Sequence, residues 1–330
     1  MVTITEFLQL VRWRNLLLVA ITMILMRYAV LEPLIRKIPV VLSNNPAEQV
    51  SMELQFPFFN FLLLVLATLC ITAGGYVIND YFDIKTDLIN RGKVIVGTRI
   101  PRRTAMMWHS VLNIAGVIIG FYISWRAGYA MMGALFLIVS GLLYFYSASY
   151  KRQFLVGNII VAILTAAVPM LVAIYEWPAL YRFYIVNAIS MPDLDFVLYW
   201  VGGFAVFAFI TTLAREIIKD IEDFEGDIAY GRNTLPVVLG IKTSKAVAGA
   251  LVVITILMLF LAWKLYVNDL ITIIYLSVAV AIPLLVVIYR LTGTNTKEKL
   301  HSASTFMKVA MFFGVLYSVL VWIIINWDLY

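Results

Sequence analysis

The chain is short of charged residues. Only 13% of its 330 residues are charged and 63% are hydrophobic, whereas a typical soluble domain is roughly 25% charged and 45–50% apolar. This composition excludes a soluble globular domain and predicts an integral membrane protein. The formal net charge of +6 comes largely from basic links between apolar runs. We therefore interpret it as a determinant of membrane topology and expect no nucleic-acid partner.

Cysteine and histidine are nearly absent. The single cysteine, Cys70, lies in an apolar run and excludes both an intramolecular disulfide and a metal site built from several cysteines. The two histidines, His109 and His301, stand outside the acidic motifs described below, and we interpret them as packing residues at the membrane interface. A metal site in this chain would therefore be built from oxygen ligands.

Apolar runs long enough to cross a bilayer recur along the chain, since a core of about 30 Å takes roughly 20 helical residues. We predict nine spans, at about 8–30, 56–84, 105–125, 129–150, 155–175, 196–221, 244–266, 270–291 and 305–327. Proline-containing polar stretches at 32–56 and 176–193 predict loops outside the membrane. The predicted fold class is all-α, a polytopic bundle of nine transmembrane helices around a central cavity, in one domain over residues 1–330.

Basic residues are unevenly divided between the two sides of this predicted bundle. With the N-terminus inside, the inner regions hold 19 of the 25 Lys and Arg residues. The positive-inside rule then predicts a cytoplasmic N-terminus and active-site opening and an outer C-terminus. We also expect insertion in the cell (plasma) membrane among its lipids. Spans two and six both run inward and end in acidic motifs, which indicates parallel pseudo-repeat halves of about 1–150 and 151–330.

Two acidic motifs end apolar runs. In the first, N-D-Y-F-D-I-K-T-D at residues 79–87, Asn79, Asp83 and Asp87 are four apart and share one face of a helix, while Asp80 lies roughly 100° around it. In the second, D-I-E-D-F-E-G-D at 220–227, spacings of three and four also align the carboxylates. Oxygen ligands without Cys or His neighbours suit Mg²⁺. The predicted metal ligands are Asn79, Asp80, Asp83, Asp87, Asp220, Asp223 and Asp227.

Two Mg²⁺ ions could clamp a diphosphate and neutralise its charge as it leaves. Nearby Lys and Arg residues would bind the remaining phosphate oxygens, and the apolar, aromatic-rich helices would enclose a long hydrocarbon tail. These elements predict a prenyl diphosphate donor and a lipid-like or aromatic acceptor. The candidate substrate-binding residues outside the two motifs are Arg14, Asn15, Lys93, Arg152, Asn158, Arg215 and Lys219.

The two motifs also carry a family resemblance. The stretch at 79–87 is similar to the N-D-x-x-D-x-x-x-D signature of the UbiA superfamily of intramembrane prenyltransferases, and the stretch at 220–227 resembles the other aspartate motif of that superfamily. The resemblance implies a helical bundle, Mg²⁺ dependence, and transfer of a prenyl group from its diphosphate to a nucleophilic acceptor. It implies that the Y-S-x-x-x-K element acts near the reacting centre and that Arg91 contacts the diphosphate. The implied catalytic residues are Asp83, Asp87, Asp220, Asp223, Tyr146 and Lys151, with Ser147 binding substrate.

Within the superfamily, residues 78–91 and 215–236 resemble most closely the digeranylgeranylglyceryl phosphate synthases, which alkylate the free hydroxyl of a prenylated glycerol phosphate to form an ether lipid. Two alternatives stay open. The acceptor could be an aromatic quinone precursor such as 4-hydroxybenzoate. The carboxylates could also serve a cation-coupled transporter, although that class places such residues near mid-helix on broken spans, and here they cluster at helix ends.

Overall fold

The computed structural model describes residues 3–43, 47–91, 94–293 and 296–327. Within these residues, nine helical segments are long and apolar enough to cross a membrane. They confirm the predicted fold class, an all-α multi-pass membrane protein. The segments are Trp13–Arg36, Phe58–Phe82, Arg102–Arg126, Ala130–Ala148, Val156–Asn187, Asp195–Glu222, Leu235–Val267, Leu270–Thr292 and Lys297–Asn326.

Several spans are divided into shorter helices. The α-helices are α1 (Ile4–Leu10), α2 (Trp13–Leu25), α3 (Glu32–Arg36), α4 (Phe58–Phe82), α5 (Ile84–Arg91), α6 (Arg102–Arg126), α7 (Ala134–Ala148), α8 (Val156–Asn187), α9 (Asp195–Glu222), α10 (Phe224–Ala229), α11 (Leu235–Ala262), α12 (Leu270–Tyr275), α13 (Ile282–Thr292) and α14 (Lys297–Asn326). Strands β1 (Pro39–Val41) and β2 (Gln49–Ser51) pair in a two-stranded sheet. Three π-helical segments, Met26–Leu31, Trp263–Val267 and Leu276–Ala281, lie within spans.

The predicted loop at 176–193 was largely wrong, because α8 continues as a helix to Asn187. Pro178 removes only one backbone donor, and membrane helices tolerate proline where neighbouring groups satisfy the freed carbonyl. Leu180 and Tyr184 are buried, so the extension also packs an apolar face. Pro178 and Glu176 predicted a loop, but packing in the folded chain buries this segment and stabilises it as a helix.

Other span boundaries also differ from the prediction. The first span ends at Arg36 because Pro33 stands in the first turn of α3, where a missing backbone donor is harmless. Span seven begins at Leu235, nine residues early, and passes through Gly240, whose φ of 82° breaks the helix there. Span nine begins at Lys297. In spans seven and nine, polar residues stand ahead of the long apolar run, so hydrophobicity alone placed the starts of both helices too late.

The first of two compact units comprises residues 1–23, 40–151 and 174–191. In it α4 packs against α6 and α7. Glycines permit this close approach, since an added Cβ at Gly74 would clash with Asn113 and one at Gly120 would clash with Phe136. The first acidic motif therefore lies at the end of a helix that is closely packed against its neighbours.

The second unit comprises residues 24–39, 152–173 and 192–330. In it α9, α11, α13 and α14 pack together around a cluster of fully buried aliphatic side chains that includes Ile218, Val252, Leu284 and Met307. This cluster supports the end of α9, where the second acidic motif begins. The predicted pseudo-repeat of two halves stays a prediction.

Candidate active site

The first acidic motif straddles a break between two helices. α4 ends and α5 begins on either side of Asp83, whose backbone angles are φ −90° and ψ 2°. The amide of Asp83 still donates to the carbonyl of Asn79 at 3.0 Å, and the amide of Asp87 donates to the carbonyl of Asp83 at 2.8 Å. The four-residue spacing therefore persists, although the sequence predicted an uninterrupted helical face.

Lys151 brings a cation to this motif. Its Nζ lies 2.8 Å from Oδ1 of Asp83 and donates to Oδ1 of Asn79 at 3.2 Å. Thr86 adds a weaker hydrogen bond to the same Asp83 oxygen at 3.3 Å. The Lys151 side chain is only 6% exposed. Three residues that the sequence assigned to the site, Asn79, Asp83 and Lys151, are thus brought together in one buried polar cluster.

Asp80 points to a different partner. Its Oδ1 accepts from Nη2 of Arg12 at 2.6 Å, and the Arg12 guanidinium also lies 5.1 Å from the centre of the Tyr76 ring. Sequence reasoning placed Asp80 off the main stripe and assigned no role in the site to Arg12. The arginine instead contacts the first motif. The only hint of this contact in the sequence was the basic stretch V-R-W-R-N at residues 11–15.

Arg12 has an unusual backbone conformation and a shifted pKa. Its φ of 52° lies in the left-handed region that non-glycine residues rarely occupy, and such strain persists only where surrounding contacts enforce it. Burial alone would lower the pKa of Arg12, but the attraction and hydrogen bond of Asp80, helped by Asp87, raise it above its ordinary value. The guanidinium is therefore a permanent cation beside the first motif.

The Y-S-x-x-x-K element lies at the end of α7 and leads into Lys151. Ser147 is fully buried, and its Oγ has no hydrogen-bond partner within the described part of the chain. Tyr146 is half-buried, while the Tyr144 ring packs edge-on against Phe82 at 5.9 Å, next to Asp83. Aromatic faces of this kind can stabilise a cation.

Two other predicted binding residues of the first unit, Arg14 and Asn15, lie at exposed positions. Arg14 lies over the Trp13 ring at 5.7 Å. Arg91 ends α5, but its side chain and the whole of Lys93 lie outside the described residues. The binding roles of these four residues stay predictions.

The second acidic motif repeats the break of the first. α9 ends and α10 begins on either side of Asp223, at φ −90° and ψ 6°. The amide of Asp223 donates to the carbonyl of Lys219 at 2.9 Å, and the amide of Asp227 donates to the carbonyl of Asp223 at 3.1 Å. The two motifs thus share a local backbone form, with an aspartate at each break.

Asp227 is held by the loop that follows it. This carboxylate is 2% exposed; its Oδ1 lies 3.3 Å from Nη1 of Arg232 and its Oδ2 accepts from Oγ1 of Thr234 at 3.1 Å. The G-R-N-T-L-P stretch at residues 231–236 had only the character of a polar turn in the sequence. The sequence analysis did not single out this arginine and threonine, which contact the motif and tie Asp227 to the start of α11.

Asp220 is positioned from α8. Nδ2 of Asn158 donates to Oδ2 of Asp220 at 2.8 Å, and Asn158 is 8% exposed. α8 starts directly after Leu155, which has a left-handed φ of 57°. The nearby Arg152 has an exposed side chain, and its carbonyl accepts from the amide of Asn233 at 2.9 Å. Asn158, predicted as a substrate-binding residue, contacts the motif itself.

Two further predicted residues, Arg215 and Lys219, flank a buried carboxylate on α9. Nη1 of Arg215 lies 2.6 Å from Oε1 of Glu216, and Nζ of Lys219 lies 3.4 Å from Oε2 of the same residue. Glu216 was not singled out from the sequence. Glu216 thus lies between two basic neighbours, and Asp220 of the second motif also acts on Lys219.

The chemistry of the donor set fits Mg²⁺, since both motifs offer carboxylate oxygens and the first adds a carboxamide. Across residues 3–43, 47–91, 94–293 and 296–327, no three His, Cys, Asp or Glu side chains converge closely enough to form a complete protein-only metal site. Magnesium commonly takes only one or two carboxylates together with water and phosphate oxygens. The arrangement therefore suits an ion that binds together with a phosphorylated ligand.

Comparisons with known proteins agree with these motifs. The model of the UbiA prenyltransferase family matches residues 49–322. A digeranylgeranylglyceryl phosphate synthase of Methanosphaera stadtmanae is 32% identical over 254 residues, covering 75% of this chain and 84% of its own length. One from Thermococcus kodakarensis is 30% identical over 269 residues, covering 80% and 84%, and one from Methanosarcina mazei is 32% identical over 270 residues, covering 81% and 83%.

Solved structures share the fold. A structure concerned with digeranylgeranylglyceryl phosphate synthase in membranes has a TM-score of 0.61 at 23% identity, covering 96% of this chain and 98% of its own. An apo UbiA homologue from Aeropyrum pernix also has a TM-score of 0.61, at 15% identity and 91% and 97% coverage. With nine helices long and apolar enough to cross a membrane among its described residues, both aspartate motifs and a family match over most of its length, the chain belongs to the UbiA prenyltransferase family and is a multi-pass membrane prenyltransferase.

Proposed function

We propose that this prenyltransferase transfers a geranylgeranyl group from its diphosphate to the free hydroxyl of geranylgeranylglyceryl phosphate, forming an ether lipid. The observation that carries the choice of substrates is the match, at 30% identity or more over three quarters of the chain, to enzymes named digeranylgeranylglyceryl phosphate synthase. The buried cluster of Lys151, Asp83 and Asn79 supports diphosphate chemistry at the first motif.

We infer that the two aspartate motifs bind two Mg²⁺ ions together with the donor diphosphate. A related protein from Archaeoglobus fulgidus, 16% identical with a TM-score of 0.51, has been solved with DMAPP and Mg²⁺. When bound, the ions supply Lewis acidity that neutralises charge on the departing diphosphate. The residues that would hold them are Asn79, Asp80, Asp83, Asp87, Asp220, Asp223 and Asp227.

The protein's own residues then bind and orient the reactants. Lys151 is a buried cation next to Asp83, suited to a phosphate oxygen through a charge-assisted hydrogen bond. Tyr144 and Tyr146 offer aromatic faces to the allylic cation. The bond between C1 of the prenyl group and the diphosphate oxygen breaks, and a bond from C1 to the acceptor oxygen forms. The hydroxyl proton passes to a carboxylate or to the leaving diphosphate.

Location and orientation follow from charge. We propose that the protein lies in the plasma membrane with its N-terminus and both motifs on the cytoplasmic side, because most Lys and Arg residues fall in links on that side. The water-soluble end of the donor would then enter from the cytoplasm. Its apolar tail and that of the acceptor would stay in the bilayer.

An acceptor panel tests the proposal. The full-length protein in lipid nanodiscs would receive Mg²⁺, radiolabelled geranylgeranyl diphosphate and, in turn, geranylgeranylglyceryl phosphate or 4-hydroxybenzoate. We expect ether-lipid product from the first acceptor only. Product from the aromatic acceptor alone would replace the ether-lipid function with quinone-precursor prenylation. The transporter alternative is not supported, since the chain belongs to a prenyltransferase family.

A further inference from the structure

A group of cations lies inside the membrane-spanning part of the second unit. Arg215 and Lys219 stand on α9, and Lys308 of α14 lies within electrostatic range of both. We call these three residues the α9/α14 cation cluster. Ionisable residues inside membrane spans are rare and commonly mark a substrate or ion pathway.

The register between α9 and α14 explains how these cations meet. Nδ1 of His301 lies 3.0 Å from Oε1 of Glu222, and Nζ of Lys297 lies 2.8 Å from Oε2 of Glu225. Glu225 lies on α10, which directly follows α9. Residue numbers therefore rise along α9 and α10 as they fall along α14, so α14 runs antiparallel to this part of the chain. Seven residues back from Glu222 is Arg215, and seven residues on from His301 is Lys308. Both cations lie about 10 Å along their helices from that contact, at 1.5 Å per residue.

Carboxylates lie near all three cations of the cluster. Glu216 contacts both Arg215 and Lys219, and Glu222 contacts His301 and also acts on Lys308. Asp220 of the second motif acts on Lys219. Since these carboxylates equal the cations in number, a bound anion is indicated by the hydrogen-bond donors that they leave unused.

Two buried polar groups near these cations lack hydrogen-bond partners among the described residues, which indicates a place for a ligand. Nε of Arg215 is buried and has no hydrogen-bond partner in the described chain. The Oγ1 of Thr212, three residues earlier on α9 and only 3% exposed as a residue, is likewise unsatisfied there. Residues three apart share a helix face. A buried donor without a partner is costly, and an anionic ligand with several oxygens would accept from such donors.

From these observations, and resting on the proposed function, we infer that the α9/α14 cation cluster binds the phosphate of the acceptor. A phosphomonoester carries close to two negative charges and three acceptor oxygens, which suits three neighbouring cations and the unused donors of Arg215 and Thr212. Lys308 becomes a binding residue that no sequence motif indicated. Its long side chain is exposed, so its charged end is available to a ligand.

Spacing along α9 agrees with two phosphate groups held at once. Arg215 lies five residues before Asp220 and eight before Asp223, which is about 8–12 Å along the helix axis. The reacting C1 is one bond from the donor diphosphate, and the acceptor hydroxyl is a few bonds from the acceptor phosphate. A donor diphosphate at the second motif and an acceptor phosphate at the cluster would leave these reacting atoms close together.

Steady-state kinetics in nanodiscs test this assignment. In Lys308→Gln we expect the KM for geranylgeranylglyceryl phosphate to rise about tenfold or more, because a charge-assisted hydrogen bond is lost, with the KM for the donor unchanged. Lys308→Arg should restore most of the loss. Lys264→Gln, which removes an exposed lysine next to Trp263, serves as the control. An unchanged acceptor KM in Lys308→Gln, or an equal change for both substrates, would overturn the assignment.

Direct binding separates this inference from the proposed function. Binding of geranylgeranylglyceryl phosphate and of its dephosphorylated form would be measured on the wild type and Lys308→Gln without donor. A preference for the phosphorylated form that Lys308→Gln removes supports the site even if the wild type transfers no prenyl group, in which case only the proposed function fails. Equal displacement of the ligand by phosphatidylglycerol vesicles, with no preference for the phosphomonoester, would show a lipid-headgroup site and overturn the inference.

Discussion

Nζ of Lys151 lies 2.8 Å from Oδ1 of Asp83 and 3.2 Å from Oδ1 of Asn79. The lysine at the end of α7 thus reaches the first aspartate motif at the helix break. Because all three side chains belong to one compact unit, the motif is already organised around a protein cation. A ligand that binds there meets a fixed positive charge as well as carboxylates.

Replacement of this lysine should therefore disable catalysis. We expect Lys151→Gln to lower kcat/KM by about 100-fold or more, comparable with removal of one preorganised donor from a charge-stabilising site. Lys85→Gln, an exposed lysine two residues from Asp83, should retain near-normal activity. Prenyl transfer assays on matched nanodisc samples measure both. Similar activity in the two variants would mean that Lys151 does not serve the reacting centre.

The aspartates at the helix breaks should be essential for turnover. We expect Asp83→Ala and Asp223→Ala to abolish prenyl transfer while the protein stays folded by size-exclusion chromatography and thermal unfolding. Chelation with EDTA should abolish wild-type activity, and added Mg²⁺ should restore it. Glu298→Ala, an exposed carboxylate in the first turn of α14, is the control. Near-normal turnover in both aspartate variants would remove the assignment of metal binding to the two motifs.

The ion pair of Arg12 and Asp80 should stabilise the fold around the first motif. We expect Arg12→Gln to cost about 1–3 kcal/mol of unfolding free energy, since it leaves a carboxylate with little solvent; the 30% exposure of the Arg12 side chain keeps the effect below that of a fully buried pair. Unfolding in mixed detergent micelles measures it.

A double-mutant cycle separates the pair from its surroundings. Adding Asp80→Asn to Arg12→Gln should recover part of the loss, because no unpaired carboxylate remains. Arg14→Gln, at an exposed position nearby, should change stability by less than about 0.5 kcal/mol. Additive single-mutant effects would contradict a direct interaction between Arg12 and Asp80.

Glu176 should hold the loop that precedes α4. This carboxylate is 1% exposed, and its Oε1 accepts from the amides of Gln55 at 2.6 Å and Phe56 at 2.9 Å. Glu176→Leu leaves both donors without that acceptor and should cost about 1–3 kcal/mol or more. Glu176→Gln keeps a carbonyl oxygen and should cost less.

Thermal unfolding and limited proteolysis within residues 40–56 measure the loss in Glu176→Leu. Tyr184→Phe, which removes only the hydrogen bond from the Glu53 amide to the tyrosine oxygen at 2.8 Å, provides a graded comparison. If Glu176→Leu proves no less stable than Tyr184→Phe, the carboxylate does not anchor the loop.

Part of the geometry of the candidate site could be predicted from local sequence. The helical spacing of Asn79, Asp83 and Asp87 survives in the structure, and Lys151 was assigned to the site from the Y-S-x-x-x-K element. Sequence reasoning did not identify Arg12 or Arg232. Each is an arginine among many near a membrane surface, and only its distance in space to a carboxylate distinguishes it from a topology determinant.

The sequence by itself determined the membrane class, the number of spans and the position of both acidic motifs, because apolar length and helical periodicity are local properties of the chain. Tertiary structure decided which charges meet. Arg12 reaches Asp80 across 68 residues, and Glu176 is buried because amides 120 and 121 residues away donate to it. Pairings over such distances depend on helix packing, and α8 extends past Pro178 for the same reason.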